Sequence, residues 1–173
     1  MKTDMYLKSK IREIKNYPTK GINFKDITPL LEDKEAFREA ILGIANFYKH
    51  TQVDKIVGIE SRGFLLASSI AYLLNAGMVM VRKKDKLPSK KIFREHSLEY
   101  GMGLLEIHTD SIAPEEKVII IDDVLATGGT AEAAVKLTEE LGGNIVGLGF
   151  LLELPLGGRE KLKKYSIHSL IQY

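Results

Sequence analysis

Apolar positions along the chain fall into short continuous runs, separated by longer stretches with helical spacing. Leu7, Ile11 and Ile14 recur at intervals of three to four, which predicts an amphipathic N-terminal helix. It should end near Tyr17, because Pro18 disfavours helical backbone in the residue before it. YPTKGINFKDITPLL then reads as a polar connection carrying Pro18, Gly21 and Pro29. Asp33 is placed to cap a helix reaching about Tyr48, with Phe37, Ile41, Ile44 and Tyr48 on one stripe. Lys55–Ile59 (KIVGI) reads as a buried strand, Gly63–Leu74 as a helix and Met78–Val81 (MVMV) as a second buried strand. An exposed loop holding Pro88 comes next, and Ser97–Ile107 reads as a small hairpin around Gly101 and Gly103. Val118–Ile121 (VIII) is the strongest strand signal. It runs through DDVLATGGT into a helix over about Ala131–Leu141. Asn144–Leu152 and Ile167–Ile171 read as two further strands.

Continuous apolar strands separated by helices predict an α/β fold, a central parallel sheet flanked by helices, with an extra N-terminal segment before the first central strand. Ligands bind such sheets beyond the carboxyl ends of the strands. ESRG follows KIVGI, RKKDK follows MVMV and DDVLATGGT follows VIII, so three chemistry-bearing segments converge on that edge. The length of 173 residues suits a single domain, and 45% hydrophobic with 28% charged residues excludes disordered and fibrous classes. The absence of cysteine excludes disulfides, thiol nucleophiles and Cys-ligated zinc. His50, His96, His108 and His168 form no pair at a metal-binding spacing. No apolar run approaches the roughly 20 residues that span a bilayer. The start MKTDMYLKSK lacks the apolar region of a secretory signal, so a cytoplasmic location without membrane contact is expected.

The net charge of +2 conceals one local block. Arg82–Arg94 (RKKDKLPSKKIFR) holds seven basic residues and one acid, and the other 18 basic and 22 acidic residues leave the rest of the chain at −4. A nucleic-acid binder spreads its basic charge over a face, whereas a local block suits a small polyanion. A solvated loop is the other reading, and composition does not separate the two.

DDVLATGGT carries the clearest chemistry. Gly128 and Gly129 let the backbone curl between strand and helix, so that loop amides and the helix N-terminus can cradle a phosphate. Thr127 and Thr130 add hydroxyls, while Asp122 and Asp123 supply acceptors for sugar hydroxyls or for hydrated Mg²⁺. There is no Walker A lysine and no G-x-G-x-x-G. Ser61-Arg62-Gly63 sits at another strand-to-helix turn, where an arginine can bind phosphate oxygens bidentately. There the alternative is Ser61 as a helix cap and Arg62 in solvent.

VIIIDDVLATGGTA resembles the phosphoribosyl-pyrophosphate signature of type I phosphoribosyltransferases. GIESRGF, VRKKDKLP, SLEYG, GREKL, the ending SLIQY and the early YPTKGINFKDITPLL extend the resemblance over nearly the whole chain, to the adenine phosphoribosyltransferases in particular. The resemblance implies one phosphoribosyltransferase domain over 1–173, with 1–33 as N-terminal helix and base-binding hood and 82–107 as flexible catalytic loop and hairpin. It implies that Ala126, Thr127, Gly128, Gly129 and Thr130 hold the 5-phosphate, that Asp122 and Asp123 face the ribose hydroxyls, and that Ser61, Arg62, Arg82, Lys83 and Lys86 approach the pyrophosphate. Arg82 would do so from the other subunit of a homodimer. Mg²⁺ would be held mainly by substrate and water, with no dedicated protein metal site.

The resemblance further implies that Glu99 exchanges a proton with the base, that Phe24 stacks on adenine, and that backbone near Asn23 and Lys25 reads its edge. Read from spacing alone, Glu99 is a strand glutamate facing solvent and Phe24 is core packing. Glu106 is a weaker rival for the acid. Asp85 stands where the family commonly has glycine, and His96 where it often has an aromatic residue. The expected reaction joins adenine to the ribose 5-phosphate of phosphoribosyl pyrophosphate, a purine-salvage step giving AMP and pyrophosphate. The alternatives are a transferase for another purine, such as xanthine or guanine, and a non-catalytic regulator that binds the same sugar.

Overall fold

The computed structural model describes residues 2–97 and 102–173. The chain divides into two compact units, 1–43 and 44–173.

The first unit opens with helix α1 (Lys2–Ser9), followed by strands β1 (Arg12–Lys15) and β2 (Asn23–Asp26), which pair antiparallel. A short helix α2 (Thr28–Glu32) and the start of α3 (Lys34–Tyr48) complete it. Two expectations change here. The N-terminal helix stops at Ser9 rather than near Tyr17, and the supposed polar connection contains a strand and a helix. Cross-strand charge explains the first change: Glu13 lies opposite Lys25 and pairs with it, and Arg12 lies opposite Asp26, with Nη2 2.6 Å from Oδ2. Asp33 caps α3 as expected, its Oδ1 accepting from the N–H groups of Glu35 and Ala36.

The second unit is built on a seven-stranded sheet. Its strands are β3 (Lys55–Ile59), β4 (Gly77–Lys83), β5 (Lys91–Ser97), β6 (Met102–His108), β7 (Lys117–Leu125), β8 (Asn144–Glu153) and β9 (Ile167–Gln172), in the order β5-β6-β4-β3-β7-β8-β9. Pairing is parallel from β4 to β9 and antiparallel for β5-β6-β4. Helices α4 (Arg62–Leu74), α5 (Gly129–Glu140) and α6 (Gly158–Lys161) join the later strands. The central strands are apolar along their whole length because both faces are covered: Val57, Ile59, Val118 and Ile120 are fully buried on one face, and Ile56, Ile119 and Ile121 on the other. Each such side chain contributes about 2 kcal/mol by leaving water.

The exposed loop expected through the basic block is confined to 84–90. Arg82 and Lys83 end β4, and the rest of the block enters β5. The hairpin is formed by Lys91–Ser97 against Met102–His108, displaced from the expected Ser97–Ile107. Its first strand reads as loop because it is largely charged: Ile92 and His96 turn inward, but the fully buried apolar side chains of the hairpin, Leu105 and Ile107, are on its neighbour. No helix among the described residues is long and apolar enough to cross a membrane.

Candidate active site

β4, β3 and β7 lie side by side, and their carboxyl ends carry Arg82–Lys83, Ser61–Arg62 and Asp122–Thr130 respectively. The sheet order therefore brings together three segments that begin at positions 61, 82 and 122 of the sequence.

β7 extends through both aspartates to Leu125, so Asp122 and Asp123 belong to the strand rather than to the loop after it. Both are buried, at 8% and 5% exposure. Oδ1 of Asp122 accepts the backbone N–H of Asp123 at 2.9 Å, and Oδ2 of Asp123 lies 2.7 Å from Nε of Arg62. Burial first, and then the charge of Asp123, push the Asp122 carboxyl well above the usual carboxylate range. Burial also raises Asp123, against the opposing pull of Arg62. The close approach of α4 to this strand requires Gly63, where a Cβ would sit 2.8 Å from Oδ1 of Asp122.

After Leu125 the chain curls through Ala126, Thr127 and Gly128 into α5. Gly128 stands at the N-cap with φ +79°, and no side chain caps the helix. Neither Thr127 nor Thr130 is thus spent on capping. A second turn, Gly157–Gly158, backs this loop: the N–H of Gly158 donates to the carbonyl of Ala126 at 2.9 Å. Arg159 fixes that turn by a fork onto Glu153, with Nε 2.8 Å from Oε1 and Nη2 2.5 Å from Oε2. Ser61 stands at the N-cap of α4 without a side-chain capping bond, which sets aside its reading as a cap. The Arg62 side chain is 39% exposed beside it.

Arg82 donates from Nε to Oε2 of Glu60 at 3.0 Å and from Nη1 to the carbonyl of Lys86 at 3.0 Å. The same Glu60 oxygen accepts the N–H of Lys83. Lys83 and Lys86 are exposed. Glu106 is buried at the base of this loop and salt-bridged to Lys91. Burial would raise its carboxyl, but Lys91 and the N–H groups of Leu87, Lys86 and Asp85 outweigh it and hold the group at about 2. Both of its oxygens are engaged by Lys91 and these three N–H groups, which argues against Glu106 as the group that exchanges a proton with the base.

Asn23, Phe24 and Lys25 lie on β2 of the first unit. Asn23 is exposed, Phe24 meets Tyr17 edge to face at 5.4 Å, and Lys25 pairs with Glu13. Glu99, with the rest of LEYG, lies outside the described residues. Sequence reasoning missed Glu60, Gly158 and Arg159 as supports, and named Gly63 only as part of the turn after β3, without its close approach to Asp122. Of these, GREKL contains Gly158 and Arg159, but nothing local ties it to the DDVLATGGT loop.

Among the described residues no cluster of three or more His, Cys, Asp or Glu is placed to hold a metal ion. The carboxylates available to a hydrated cation at this edge are Asp122 and Asp123.

Residues 29–172 match the phosphoribosyl transferase domain family. The adenine phosphoribosyltransferase of Caldicellulosiruptor bescii is 52% identical over 170 residues, covering 98% of this chain and 97% of that protein. That of Halothermothrix orenii is also 52% identical, over 97% and 99% of the two chains. Among solved structures, the adenine phosphoribosyltransferase of Thermoanaerobacter pseudethanolicus superposes with a TM-score of 0.94 at 47% identity, covering 98% and 99%. The enzyme of Saccharomyces cerevisiae, solved with an imino-altritol bisphosphate and adenine, superposes with a TM-score of 0.91 at 36% identity, covering 98% and 99%. The strand-end aspartates, the glycine curl and this likeness along nearly the full length agree: the chain belongs to the phosphoribosyltransferases, and within them to the adenine phosphoribosyltransferase family.

Proposed function

We propose that this chain transfers the ribose 5-phosphate of phosphoribosyl pyrophosphate to N9 of adenine, giving AMP and pyrophosphate. The observation that carries the reading is the buried Asp122–Asp123 pair at the end of β7, followed at once by the uncapped glycine curl of α5, with Arg62 set against Asp123. Loop and helix amides of Ala126, Thr127, Gly128, Gly129 and Thr130, with the two threonine hydroxyls, take the 5-phosphate. Asp122 and Asp123 accept from the ribose hydroxyls. Ser61, Arg62, Arg82, Lys83 and Lys86 take the pyrophosphate and stabilise its charge as it departs.

As the bond from C1 to the pyrophosphate oxygen breaks, the pyrophosphate leaves with the electron pair and N9 bonds to C1. The proton displaced from the base passes to Glu99. Asn23, Phe24 and Lys25 hold adenine, by stacking and through backbone groups that match its N6 donor and N1 acceptor. A 6-oxopurine presents the reverse pattern and leaves those groups unpaired. Asp122 and Asp123 are the carboxylates that would lie beside a hydrated Mg²⁺ held mainly by substrate and water, and the ion would supply neutralising charge at the pyrophosphate.

On this reading residues 1–173 act as one catalytic domain, in the cytoplasm. The working form is a homodimer, in which Arg82 serves the partner's site. Exposed apolar side chains on α4, Leu65, Tyr72 and Leu73, support an interface between copies. Pyrophosphate release is the test, with adenine, hypoxanthine, guanine and xanthine in parallel and Glu99→Ala beside the wild type. Release with adenine alone, much reduced in the variant, is the expected result. Release with a 6-oxopurine instead would overturn the adenine assignment. Binding of the sugar pyrophosphate without release would make the chain a regulator. Light scattering on the same sample reads the mass of the assembly.

A further inference from the structure

Glu106 is a buried carboxylate beside the basic segment that this reaction does not use. It sits on β6 opposite Arg82 of β4, at 1% exposure. Its Oε1 accepts the N–H groups of Lys86 at 2.8 Å and Leu87 at 2.7 Å, and its Oε2 accepts that of Asp85 at 3.1 Å. Three successive backbone N–H groups converge on one side chain, so the turn 85–87 is an anion nest filled from within the chain. Lys91 closes the second oxygen, with Nζ at 2.8 Å. From the other side the Lys86 carbonyl accepts Nη1 of Arg82. Lys86 is thus gripped at both its N–H and its C=O, and one of the two grips is Arg82 itself.

A buried charge is a poor device for stability alone, since an apolar side chain of similar volume does as well or better. What the carboxylate adds is direction, because it accepts bonds only from donors that point at it. Moving any of the three amides leaves part of a buried anion unpaired. The turn therefore has one favoured shape, and that shape sets where Lys86 and Arg82 carry their charge.

We propose that Glu106 is a positioning residue for the pyrophosphate site, acting through the turn 85–87 on Lys86 and Arg82. The proposal rests on the reading that these two residues take the pyrophosphate. It is distinct from a role in proton transfer, because both carboxylate oxygens are occupied by the turn and by Lys91.

The test compares wild type, Glu106→Gln and Lys86→Ala on the full chain, with KM for phosphoribosyl pyrophosphate, KM for adenine, kcat and amide exchange as readouts. Gln keeps the volume but puts a donor where an acceptor is needed. Glu106→Gln should raise KM for phosphoribosyl pyrophosphate about tenfold or more and leave KM for adenine within about twofold. Exchange should quicken at Asp85, Lys86 and Leu87. A merely structural role would lower the active fraction, and so kcat, with both KM values unchanged; that outcome overturns the proposal. If Lys86→Ala raises KM for the sugar pyrophosphate and Glu106→Gln does not, Glu106 alone is misassigned. If Lys86→Ala has no effect, the pyrophosphate reading of Lys86 fails and takes the proposal with it. Should Glu106→Gln not fold, Lys91→Met removes one partner of the carboxylate and spares its amide bonds. A rise of about threefold in the same KM then supports the proposal, and an unchanged KM overturns it.

Discussion

Gly158 and Ala126 are in backbone contact: the N–H of one donates to the carbonyl of the other, and a Cβ on Gly158 would collide with that carbonyl oxygen. The same Cβ would lie 2.7 Å from Leu125 Cδ1 and 3.0 Å from the Gly128 nitrogen. The turn after β8 is therefore the back wall of the loop proposed to hold the 5-phosphate. Gly158→Ala should cost about 1–3 kcal/mol through overpacking. Since the strain falls on Ala126 and Gly128, KM for phosphoribosyl pyrophosphate should rise more than KM for adenine. Thermal melting and steady-state kinetics on one preparation check both. A variant with wild-type KM values would show that the wall does not shape the loop.

What is legible in the sequence follows from how local the physics is. KIVGI and VIII announce themselves because strands covered on both faces must be apolar throughout. DDVLATGGT is legible because strand end, curl and helix start are contiguous. Arg12–Lys15 is misleading: Ile11 and Ile14 fit a helical interval, and a strand of four residues is too short for its alternation to speak against them. What selects the strand is pairing with Lys25 and Asp26, more than ten residues away. Gly158 and Glu106 were opaque for the same reason. Each matters through a neighbour that only the strand order supplies, 158 against 126 and 106 against 85–87.

The buried aspartate pair should trade stability for function. A carboxyl whose folded pKa lies above its unfolded value near 3.8 binds its proton more tightly in the native state. Stability is then lost as pH rises above that unfolded value and the buried group is forced to ionise. Asp122→Asn keeps the acceptor that Asp123 N–H uses and removes the charge. It should raise the melting temperature at pH 7 by about 2–4 °C, with the gain shrinking as pH falls toward 4. Activity should fall steeply, because the charged acceptor for the ribose hydroxyls is gone. A melting temperature that drops at pH 7 would contradict the assignment of burial as the dominant influence.

Asp26 carries the opposite sign. Hydrogen bonds from Thr28, and then Arg12, hold its carboxyl at about 2, below the usual 3.8. The contribution is complete above pH 3.8 and disappears as pH falls toward 2. Asp26→Asn should cost about 1–2 kcal/mol at pH 7 and almost nothing near pH 2. Urea melts at several pH values, followed by a probe in the β1–β2 hairpin, would show the two curves converging in acid. Parallel curves would mean that Asp26 acts through packing rather than charge.

Asp85 sits at φ +62°, in the left-handed region that favours glycine. Aspartate enters this region more readily than most residues, yet it still gives up about 1 kcal/mol against glycine there. Glycine in turn loses more entropy on folding, by about 0.4–1 kcal/mol. The two effects nearly cancel, so Asp85→Gly should leave stability within about 0.5 kcal/mol of wild type. Asp85→Val has no such compensation, because a β-branched side chain is a genuine outlier at this φ. It should cost about 1–3 kcal/mol and shift the N–H that Glu106 accepts, raising KM for phosphoribosyl pyrophosphate with little change for adenine. Melting and kinetics of the two variants side by side decide the matter. If valine is as well tolerated as glycine, the turn is not held in the left-handed shape, and the grip of Glu106 on Asp85 does not constrain it.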